Sequence, residues 1–478
     1  RPSKYLAVCL RSIRKMRTRR LDCRKPGADC VSKANSGAIV LVQPSHVLHK
    51  CEGRPIQACS KSRAVLRAKR IVSRKEDFII MDIALLDPNS YDGGQPHDQF
   101  RWLRENDPVH FHPESDGGPG YWAITGYDDV RAISRNHKVF SNEPSIMIAD
   151  VAFDSPTEEK MMLMSDPPYQ TQLRRLVSSA FTPRAARDMQ PRIAMLAKQI
   201  IDEVIERGEC DLVADIAGEL PSYVIAELIG MPLADGRKLY QLTETIHSAP
   251  ESLPEGAQVA AGAEMFGYAA QVLAEKKARP GDDLATRLIH AEIDGRRLND
   301  MEFFLFFMLL VDAGGDTTRN LVAGGMLGLL ERPTELARLQ ADLDGLLPTA
   351  REELLRFTSP VVYMRRTAKE ATYVGGQKIE AGDKLALYYG SANRDASVFP
   401  DADRLDVGRT PNHHVAFGAT GAHFCLGAQL ARVEIDEMLR AILTRLKGLE
   451  LAEEPEWLAS TFISGPKTLP VRFEAGTR

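Results

Sequence analysis

The most informative stretch of the chain joins a loop of small residues to a helical pattern. It reads Phe417-Gly418-Ala419-Thr420-Gly421-Ala422-His423-Phe424-Cys425-Leu426-Gly427. Backbone N–H groups of such a loop, and of the helix N-terminus after it, stabilise negative charge and therefore a thiolate. One thiolate cannot complete a structural zinc site, so a metal at Cys425 would need other ligands from elsewhere. The alternative is a buried, unreactive cysteine in a glycine turn.

The residues after this loop predict an amphipathic helix from about Ala431 to Lys447, with Gly448 placed to cap its end. Its apolar positions recur at helical spacing: Ile435, Met438, Leu439, Ile442, Leu443 and Leu446.

A second motif, Ala313-Gly314-Gly315-Asp316-Thr317-Thr318, follows the apolar block from Phe303 to Val311. Each glycine inside a helix costs about 1 kcal/mol relative to alanine, so a purely structural helix gains nothing from this sequence. We expect a helix whose backbone opens a groove for a small ligand. Asp316 could then deliver protons, and the Thr317 hydroxyl could hydrogen-bond the ligand. The alternative is a kinked core helix with a solvated aspartate.

A third motif places Glu353 and Arg356 three residues apart, on one face of a helix predicted from about Pro348 to Phe357. Taken alone, such a pair is usually a surface ion pair. Strands are predicted at Thr372-Tyr373-Val374 and from Leu385 to Tyr389, beside glycine turns.

The order and spacing of these motifs resemble the cytochrome P450 family of haem-thiolate monooxygenases, over about residues 80–478. The resemblance implies a mainly α fold with small β-sheets (α+β), the triangular P450 prism. It also implies a haem b cofactor, with Cys425 as its iron ligand. A thiolate ligand of this kind favours cleavage of the O–O bond.

Further roles are implied by the same resemblance. Asp316 and Thr317 would relay protons to bound dioxygen, and Glu353 and Arg356 would hold the region behind the haem, with Arg404 as third member. The residues implied to contact the haem propionates are Arg174, Arg366 and His423.

Two features depart from the usual pattern of the family. Gln170 stands where many relatives have histidine, so we expect a weaker or different propionate contact there. Phe417 lies eight residues before Cys425, one more than the commonest spacing. The small residues of the loop can absorb the insertion, and the longer loop resembles that of actinobacterial enzymes acting on sterols and branched lipids.

The charge of the chain is divided between its two parts. Residues 1–75 hold 20 Lys or Arg and three acidic residues, whereas the whole chain has a formal net charge of −4. Five of the seven cysteines also lie before residue 60, leaving Cys210 and Cys425 in the remainder. Two such distant cysteines exclude a disulfide scaffold and suit a reducing cytoplasm.

We interpret residues 1–77 as a disordered or artefactual extension, with Met81 as a natural start, and 78–478 as a single catalytic domain. Two alternatives remain for the extension: a targeting segment, which keeps a mitochondrial location open, or a basic arm for nucleic acid or anionic membrane. A zinc site in residues 1–77 has even less support, because the chain has no CxxC spacing. The chain contains no run of 18 apolar residues, so the sequence predicts no transmembrane segment.

The resemblance implies a monooxygenase that inserts one oxygen atom of O2 into a C–H bond of an apolar substrate such as a lipid, steroid or terpenoid. Electrons would come from a separate ferredoxin and ferredoxin reductase. Two other functions remain open: a haem-thiolate peroxygenase or isomerase, and a non-enzymatic haem or nucleic-acid binder. Flexible methionine side chains suit an irregular apolar pocket, and the pocket candidates are Met147, Met162, Val361, Val362, Phe462 and Ile463.

Overall fold

The apolar block at Phe303 belongs to a helix that is much longer than the block itself. In the computed structural model this helix runs from Asp300 to Leu330, 31 residues and about 46 Å. It begins with a capping box, in which the Asn299 side chain accepts from the Glu302 N–H and the Glu302 carboxylate accepts from the Asn299 N–H. Two orphan donors are thereby satisfied, which fixes where the helix starts.

The structure describes residues 81–114, 117–149, 159–247 and 253–478. The interpretation of residues 1–77 therefore lies outside the described residues. The described part belongs to one compact unit, Phe78–Arg478. Helices predominate, as the sequence indicates.

The α-helices of the described residues are α1 His97–Asn106, α2 Tyr127–Arg135, α3 Tyr169–Ser178, α4 Pro183–Val204, α5 Glu219–Ile229, α6 Leu233–His247, α7 Ala257–Ala278, α8 Leu284–Ile289, α9 Asp300–Leu330, α10 Pro333–Ala341, α11 Leu343–Thr358, α12 Tyr389–Ala392 and α13 Ala428–Arg445. Short 3-10 turns lie at Pro88–Tyr91, Met162–Met164 and Ser179–Phe181, and a π-helical turn at Leu212–Ala217.

The strands are β1 Val109–His112, β2 Tyr121–Ile124, β3 Phe140–Ser141, β4 Glu209–Asp211, β5 Glu292–Ile293, β6 Arg296–Arg297, β7 Tyr363–Ala368, β8 Thr372–Val374, β9 Gln377–Ile379, β10 Lys384–Tyr388, β11 Glu450–Leu451, β12 Glu456–Trp457, β13 Pro466–Thr468 and β14 Pro470–Arg472.

The largest sheet has five strands in the order β1-β2-β10-β7-β3. Strand β10 is its centre: it pairs parallel with β2 and antiparallel with β7, and every one of its residues is buried. A three-stranded sheet has the order β11-β14-β4, and three two-stranded ribbons complete the strands.

The main hydrophobic core lies among the long helices. Helix α13 packs against α4, α9 and α11, and α9 packs against α5, α6 and α7. A second cluster lies between the five-stranded sheet and α2. Helix α9 therefore has protein on most of its sides, which explains why its sequence is apolar almost all round.

Two predicted helix boundaries differ from the structure. Helix α11 begins at Leu343, capped by the Asp342 side chain, so Pro348 lies inside the helix and not in its first turn. Helix α13 ends at Arg445, and Gly448 takes up a left-handed conformation beyond it (φ 62°). The predicted strands are found at β8 and β10. None of the helices among the described residues combines the length and apolar character needed to cross a membrane.

Candidate active site

One cavity brings together the chemically distinctive motifs of the sequence. Its empty volume, including the part that opens to solvent, is about 1500 Å³. Its wall includes Ala313, Gly314 and Thr317 of α9, and Cys425 from the loop before α13. Motifs more than 100 positions apart in the chain thus face one space.

The loop that carries Cys425 is held against the rest of the protein through its backbone. The Cys425 N–H donates to the Phe417 carbonyl at 2.9 Å. Gly421 has φ 136°, and a Cβ atom there would lie 2.6 Å from the Ser134 carbonyl oxygen, so only glycine fits. Thr420 accepts a hydrogen bond from Arg135. The extended loop is therefore packed on the C-terminal end of α2.

Opposing effects act on the pKa of the Cys425 thiol. Burial raises the pKa of the thiol, while backbone N–H groups of Gly427 and Ala428 and the charge of Arg174 act to lower it. These N–H groups begin α13, as expected for a helix N-terminus that favours an anion. A cation at the sulfur would add to them and favour the thiolate.

Basic and polar side chains form one end of the cavity. Arg366 on β7 is 4 % exposed and forms no ion pair within the described residues; burial lowers its pKa. Burial, together with the charges of Arg366 and Arg174, lowers the pKa of His423 to about 3, so this ring is neutral. The buried His423 Nε2 has no hydrogen-bond partner among the described residues. This end of the cavity is thus suited to bind carboxylates.

Gln170 on α3 also lies on the cavity wall, but its side chain is engaged. The Gln170 amide donates to the Ala422 carbonyl at 2.8 Å. It therefore fastens α3 to the cysteine loop. The expectation of a weaker or different propionate contact at this position stays a prediction.

Helix α9 presents Thr317 to the cavity, and the Thr317 hydroxyl donates to the Ala313 carbonyl at 3.1 Å. Asp316 is 4 % exposed and its charge acts on Arg319 and Tyr240. The sequence left open a kinked helix with a solvated aspartate, and the burial of Asp316 contradicts that alternative.

Both glycines of α9 serve helix packing, and Gly314 also lies on the cavity wall. A Cβ atom at Gly314 would lie 2.5 Å from Ile225 of α5, and one at Gly315 would lie 3.5 Å from Tyr240 of α6. The expected groove is thus partly filled by the Ile225 side chain, which itself lies on the cavity wall.

The Glu353–Arg356 pair on α11 is fully buried, with both side chains 0 % exposed. Arg356 donates to both carboxylate oxygens of Glu353 at 2.8 Å, and to the carbonyls of Asn393, Ala402 and Arg404. The pair therefore ties α11 to the loop over residues 393–412 and is no surface ion pair.

The prediction of Arg404 as third member of this cluster was wrong. The guanidinium that reaches Glu353 is that of Arg409, at 3.0 and 3.1 Å from its two oxygens. Arg404 contributes its backbone carbonyl to Arg356 and Arg409, while its side chain is 62 % exposed and lies 4.0 Å from Glu335. The loop turns so that the main chain at position 404 faces inward.

Of the six pocket candidates, Met162 and Val361 lie on the cavity wall. The structure places the other four elsewhere. Val362 is buried in the core beside the large sheet, Phe462 packs on Tyr363, and Ile463 pairs with Val361 through its backbone. Met147 offers its carbonyl to Arg365.

Several wall residues were not predicted from the sequence. Met364 and Arg366 alternate on β7 and both face the cavity, so a strand period of two from Arg366 could have identified Met364. Leu309 lies one and two helical turns before Ala313 and Thr317, so the helical period could have identified it too. Ile225 on the wall, and Arg409 in the Glu353 cluster, carry no comparable local signal, because their positions depend on long-range packing.

The residues on the wall fit a haem. Within the described residues no group of three or more His, Cys, Asp or Glu could hold a metal ion, so iron at Cys425 needs a macrocycle for its other bonds. Among the residues that the structure describes, His423 Nε2 has no hydrogen-bond partner and Arg366 and Arg174 form no ion pair, so these groups could receive its carboxylates.

Comparisons with known proteins agree with this geometry. The family model described as Cytochrome P450 matches residues 238–468. The chain is 39% identical over 404 residues to the methyl-branched lipid omega-hydroxylase of Mycobacterium tuberculosis (strain ATCC 25618 / H37Rv), covering 82% of this chain and 93% of that protein. It is 36% identical over 401 residues to the steroid C26-monooxygenase of Rhodococcus jostii, covering 82% and 84%.

A solved structure shows the same fold. Cytochrome P450 CYP268A2 of Mycobacterium marinum, in complex with pseudoionone, superposes with a TM-score of 0.76 at 36% identity, over 79% of this chain and 94% of that one. The chain therefore belongs to the cytochrome P450 family, and it is a haem b monooxygenase that uses O2 and a redox partner to hydroxylate an apolar substrate.

Proposed function

We propose that the chain hydroxylates a branched lipid or a steroid, with electrons from a ferredoxin and its reductase. The observation that carries the substrate class is the uneven distribution of polarity on the cavity wall. Basic side chains lie beside the cysteine loop, whereas Met162, Leu163, Ile225, Leu309, Val361 and Met364 contribute apolar side chains to the wall. Such a surface binds hydrocarbon by excluding water from it.

In this proposal Cys425 binds the iron, and Arg366, His423 and Arg174 bind the propionates. When bound, the haem supplies the oxidative chemistry on O2. The protein positions the substrate, holds the sulfur as a thiolate and supplies protons. To donate to a ligand in the cavity, the Thr317 hydroxyl must turn its single hydrogen away from the Ala313 carbonyl. Asp316, buried one position earlier, is the acid beside it.

Relatives support the substrate class. The two curated relatives compared above act, by their names, on methyl-branched lipids and on a steroid side chain. The ferredoxin follows from the family resemblance: we expect product only when ferredoxin and reductase are both present. Both described cysteines are free, which supports a reducing compartment such as the cytoplasm.

The test of the substrate class is a ligand screen that follows the haem absorption band of the holoenzyme. Methyl-branched fatty acids, steroids and small polar molecules of the same functional groups are compared. We expect the branched lipids or steroids to shift the band, because they displace water from the apolar end of the cavity. A set in which only the small polar molecules shift the band would overturn the proposal.

The assignment of residues 78–478 as one catalytic domain is part of the same proposal. Deletion of residues 1–77 should leave the absorption spectrum and turnover unchanged. Loss of turnover with an intact spectrum would show that the extension takes part in catalysis.

A further inference from the structure

The cavity wall holds a carboxyl group that the proposed chemistry does not use. Glu434 lies on α13, nine residues after Cys425 and beyond the loop. It is 4 % exposed, and its Oε2 has no hydrogen-bond partner among the described residues. Leu430, Ala431 and Ile435 of the same helix lie beside it on the wall. A buried acid of this kind is costly to ionise, so its position requires an explanation.

The charged side chains near Glu434 on its own helix bond to other residues. Arg432 donates to both oxygens of Glu352 at 2.8 Å, and Asp436 pairs with Arg351. Glu437 accepts from Gln190 of α4 at 2.7 Å. None of these groups neutralises or repels the Glu434 carboxyl.

The helices packed against α13 offer no counter-charge either. On α11, Glu353 and Arg356 pair with each other; on α9, Arg319 pairs with Glu244 of α6. On α4, Lys198 pairs with Asp202, and Arg192 pairs with Glu227 of α5. Neither Asp316 of α9 nor the Cys425 thiol shifts the pKa of Glu434.

Burial alone acts on this carboxyl and raises its pKa to about 8. At neutral pH the group is therefore a neutral carboxylic acid that faces the same cavity as Cys425 and Thr317. Any negative charge added to the cavity raises the pKa further, since like charges disfavour a second anion.

We propose that Glu434, when it is ionised, is the proton acceptor that accompanies electron uptake at this site. Starting from the oxidised site with ionised Glu434, one electron from the redox partner enters the site and one proton from solvent adds to a carboxylate oxygen of Glu434. The products are the reduced site and the neutral acid, so charge is conserved within the cavity. The inference rests on the proposed site at Cys425.

The test is the midpoint potential of the purified holoenzyme as a function of pH, measured with redox mediators for the wild type, Glu434→Gln and Glu437→Gln. Glu437 is a matched control, because it lies on the same helix and bonds at the surface. Above pH 8 we expect the wild-type potential to fall with pH. The slope should approach the one-electron limit of about 59 mV for each tenfold fall in proton concentration.

We expect Glu437→Gln to keep this slope and Glu434→Gln to lose most of it. Equal slopes in the wild type and Glu434→Gln would overturn the proposal, as would a wild-type potential that does not change with pH. All three proteins are first shown to have the red-shifted band of the reduced carbon monoxide complex. Absence of that band in the wild type would instead refute the site at Cys425.

A second measurement does not depend on turnover or on potential. The infrared carbonyl stretch of a protonated carboxylic acid should be present in the wild type at neutral pH, disappear on alkaline titration, and be absent from Glu434→Gln. If Glu434→Gln fails to assemble, Glu434→Asp keeps a titrating group and should keep both the band and the slope. Absence of this stretch from the neutral wild type would overturn the proposal.

Discussion

Cys425 is distinguished from the other described cysteine by its surroundings. Cys425 lies where two helix N-terminal N–H groups converge, whereas burial raises the pKa of Cys210 to about 12 in a strand without such donors. The first environment can hold a thiolate beside a cation, and the second keeps a thiol protonated.

This difference predicts opposite results for two conservative substitutions. Cys425→Ser should abolish the red-shifted band of the reduced carbon monoxide complex, because an alcohol replaces the thiolate. Cys210→Ser should leave the band unchanged. Absorption spectra of the reduced proteins under carbon monoxide provide the measurement. A normal band in Cys425→Ser, or its loss in Cys210→Ser alone, would contradict the assignment of the iron ligand.

Thr317 carries the second prediction at this scale. In Thr317→Ala the hydroxyl that faces the cavity is lost, so NADPH-driven product formed per O2 consumed should fall about 10-fold or more, with peroxide released instead. Added peroxide should still support product, since it brings its own protons. Thr317→Ser keeps the hydroxyl and serves as the control.

The measurement for Thr317 is the ratio of product to O2 consumed. Full coupling in Thr317→Ala would show that another group delivers the proton. Equal loss in the serine and alanine variants would show that the methyl group matters, through packing against the cavity.

At the scale of elements, the cluster between α11 and the loop over residues 393–412 shows how one carboxylate holds a segment without regular structure. Glu353 accepts from Arg356, Arg409, the Asp406 N–H and the Asn412 amide. Every oxygen of this buried acid is therefore occupied, which offsets the cost of burying it.

The same cluster predicts a large difference between two nearby arginines. Arg409→Ala removes a guanidinium that bonds Glu353 and the carbonyls of Pro400 and Arg404, and should lower the free energy of unfolding by about 3 kcal/mol or more. Arg404→Ala removes an exposed side chain and should cost less than about 1 kcal/mol. Urea unfolding followed by circular dichroism measures both. Equal losses would show that the side chain at 404 supports the cluster after all.

The elements themselves follow from the sequence to different degrees. The period of the apolar residues predicted α13 well, because one helix face decides its stability. The start of α11 was predicted too late, since Pro348 suits a first turn, but Asp342 caps the helix earlier and the helix tolerates the proline. The length of helix α9 could not be predicted, because its later residues are buried by neighbouring helices and carry no amphipathic period.

The residues of the site were likewise predictable from the sequence only in part. Cys425, Thr317 and Arg366 were predicted from local motifs and family resemblance, and all three lie on the cavity wall. Ile225 was missed because α5 meets α9 only in the folded chain, at Gly314. The choice of Arg409 over Arg404 depends on the path of an irregular loop, which no periodic pattern encodes.

At the scale of the whole molecule, two buried glutamates make the stability of the fold depend on pH in opposite ways. The Glu352 carboxylate lies among Arg432, Arg351 and His414, and the hydrogen bonds from these groups hold its pKa well below the usual range despite burial. Glu434 lies in an apolar wall, which raises its pKa to about 8. The fold is thus stabilised by ionisation of the first group and by protonation of the second.

These shifts predict how stability changes with pH. An acid with a lowered pKa, such as Glu352, contributes stability above its unfolded pKa near 4.5 and loses it as the pH falls below that value. An acid with a raised pKa acts in reverse: between about pH 4.5 and 8 the unfolded chain has released the Glu434 proton while the folded chain keeps it. The free energy of unfolding should therefore fall by up to about 1.4 kcal/mol per pH unit over that window.

In Glu434→Gln this decline should be smaller, whereas Glu352→Gln should keep it and lose part of the decline on the acidic side. The measurement is the urea midpoint of each protein at successive pH values, and the slopes are compared because the substitutions also change stability directly. Parallel slopes for Glu434→Gln and the wild type between pH 5 and 8 would mean that Glu434 is ionised in the folded protein, which would require a counter-charge or water at its unpartnered oxygen.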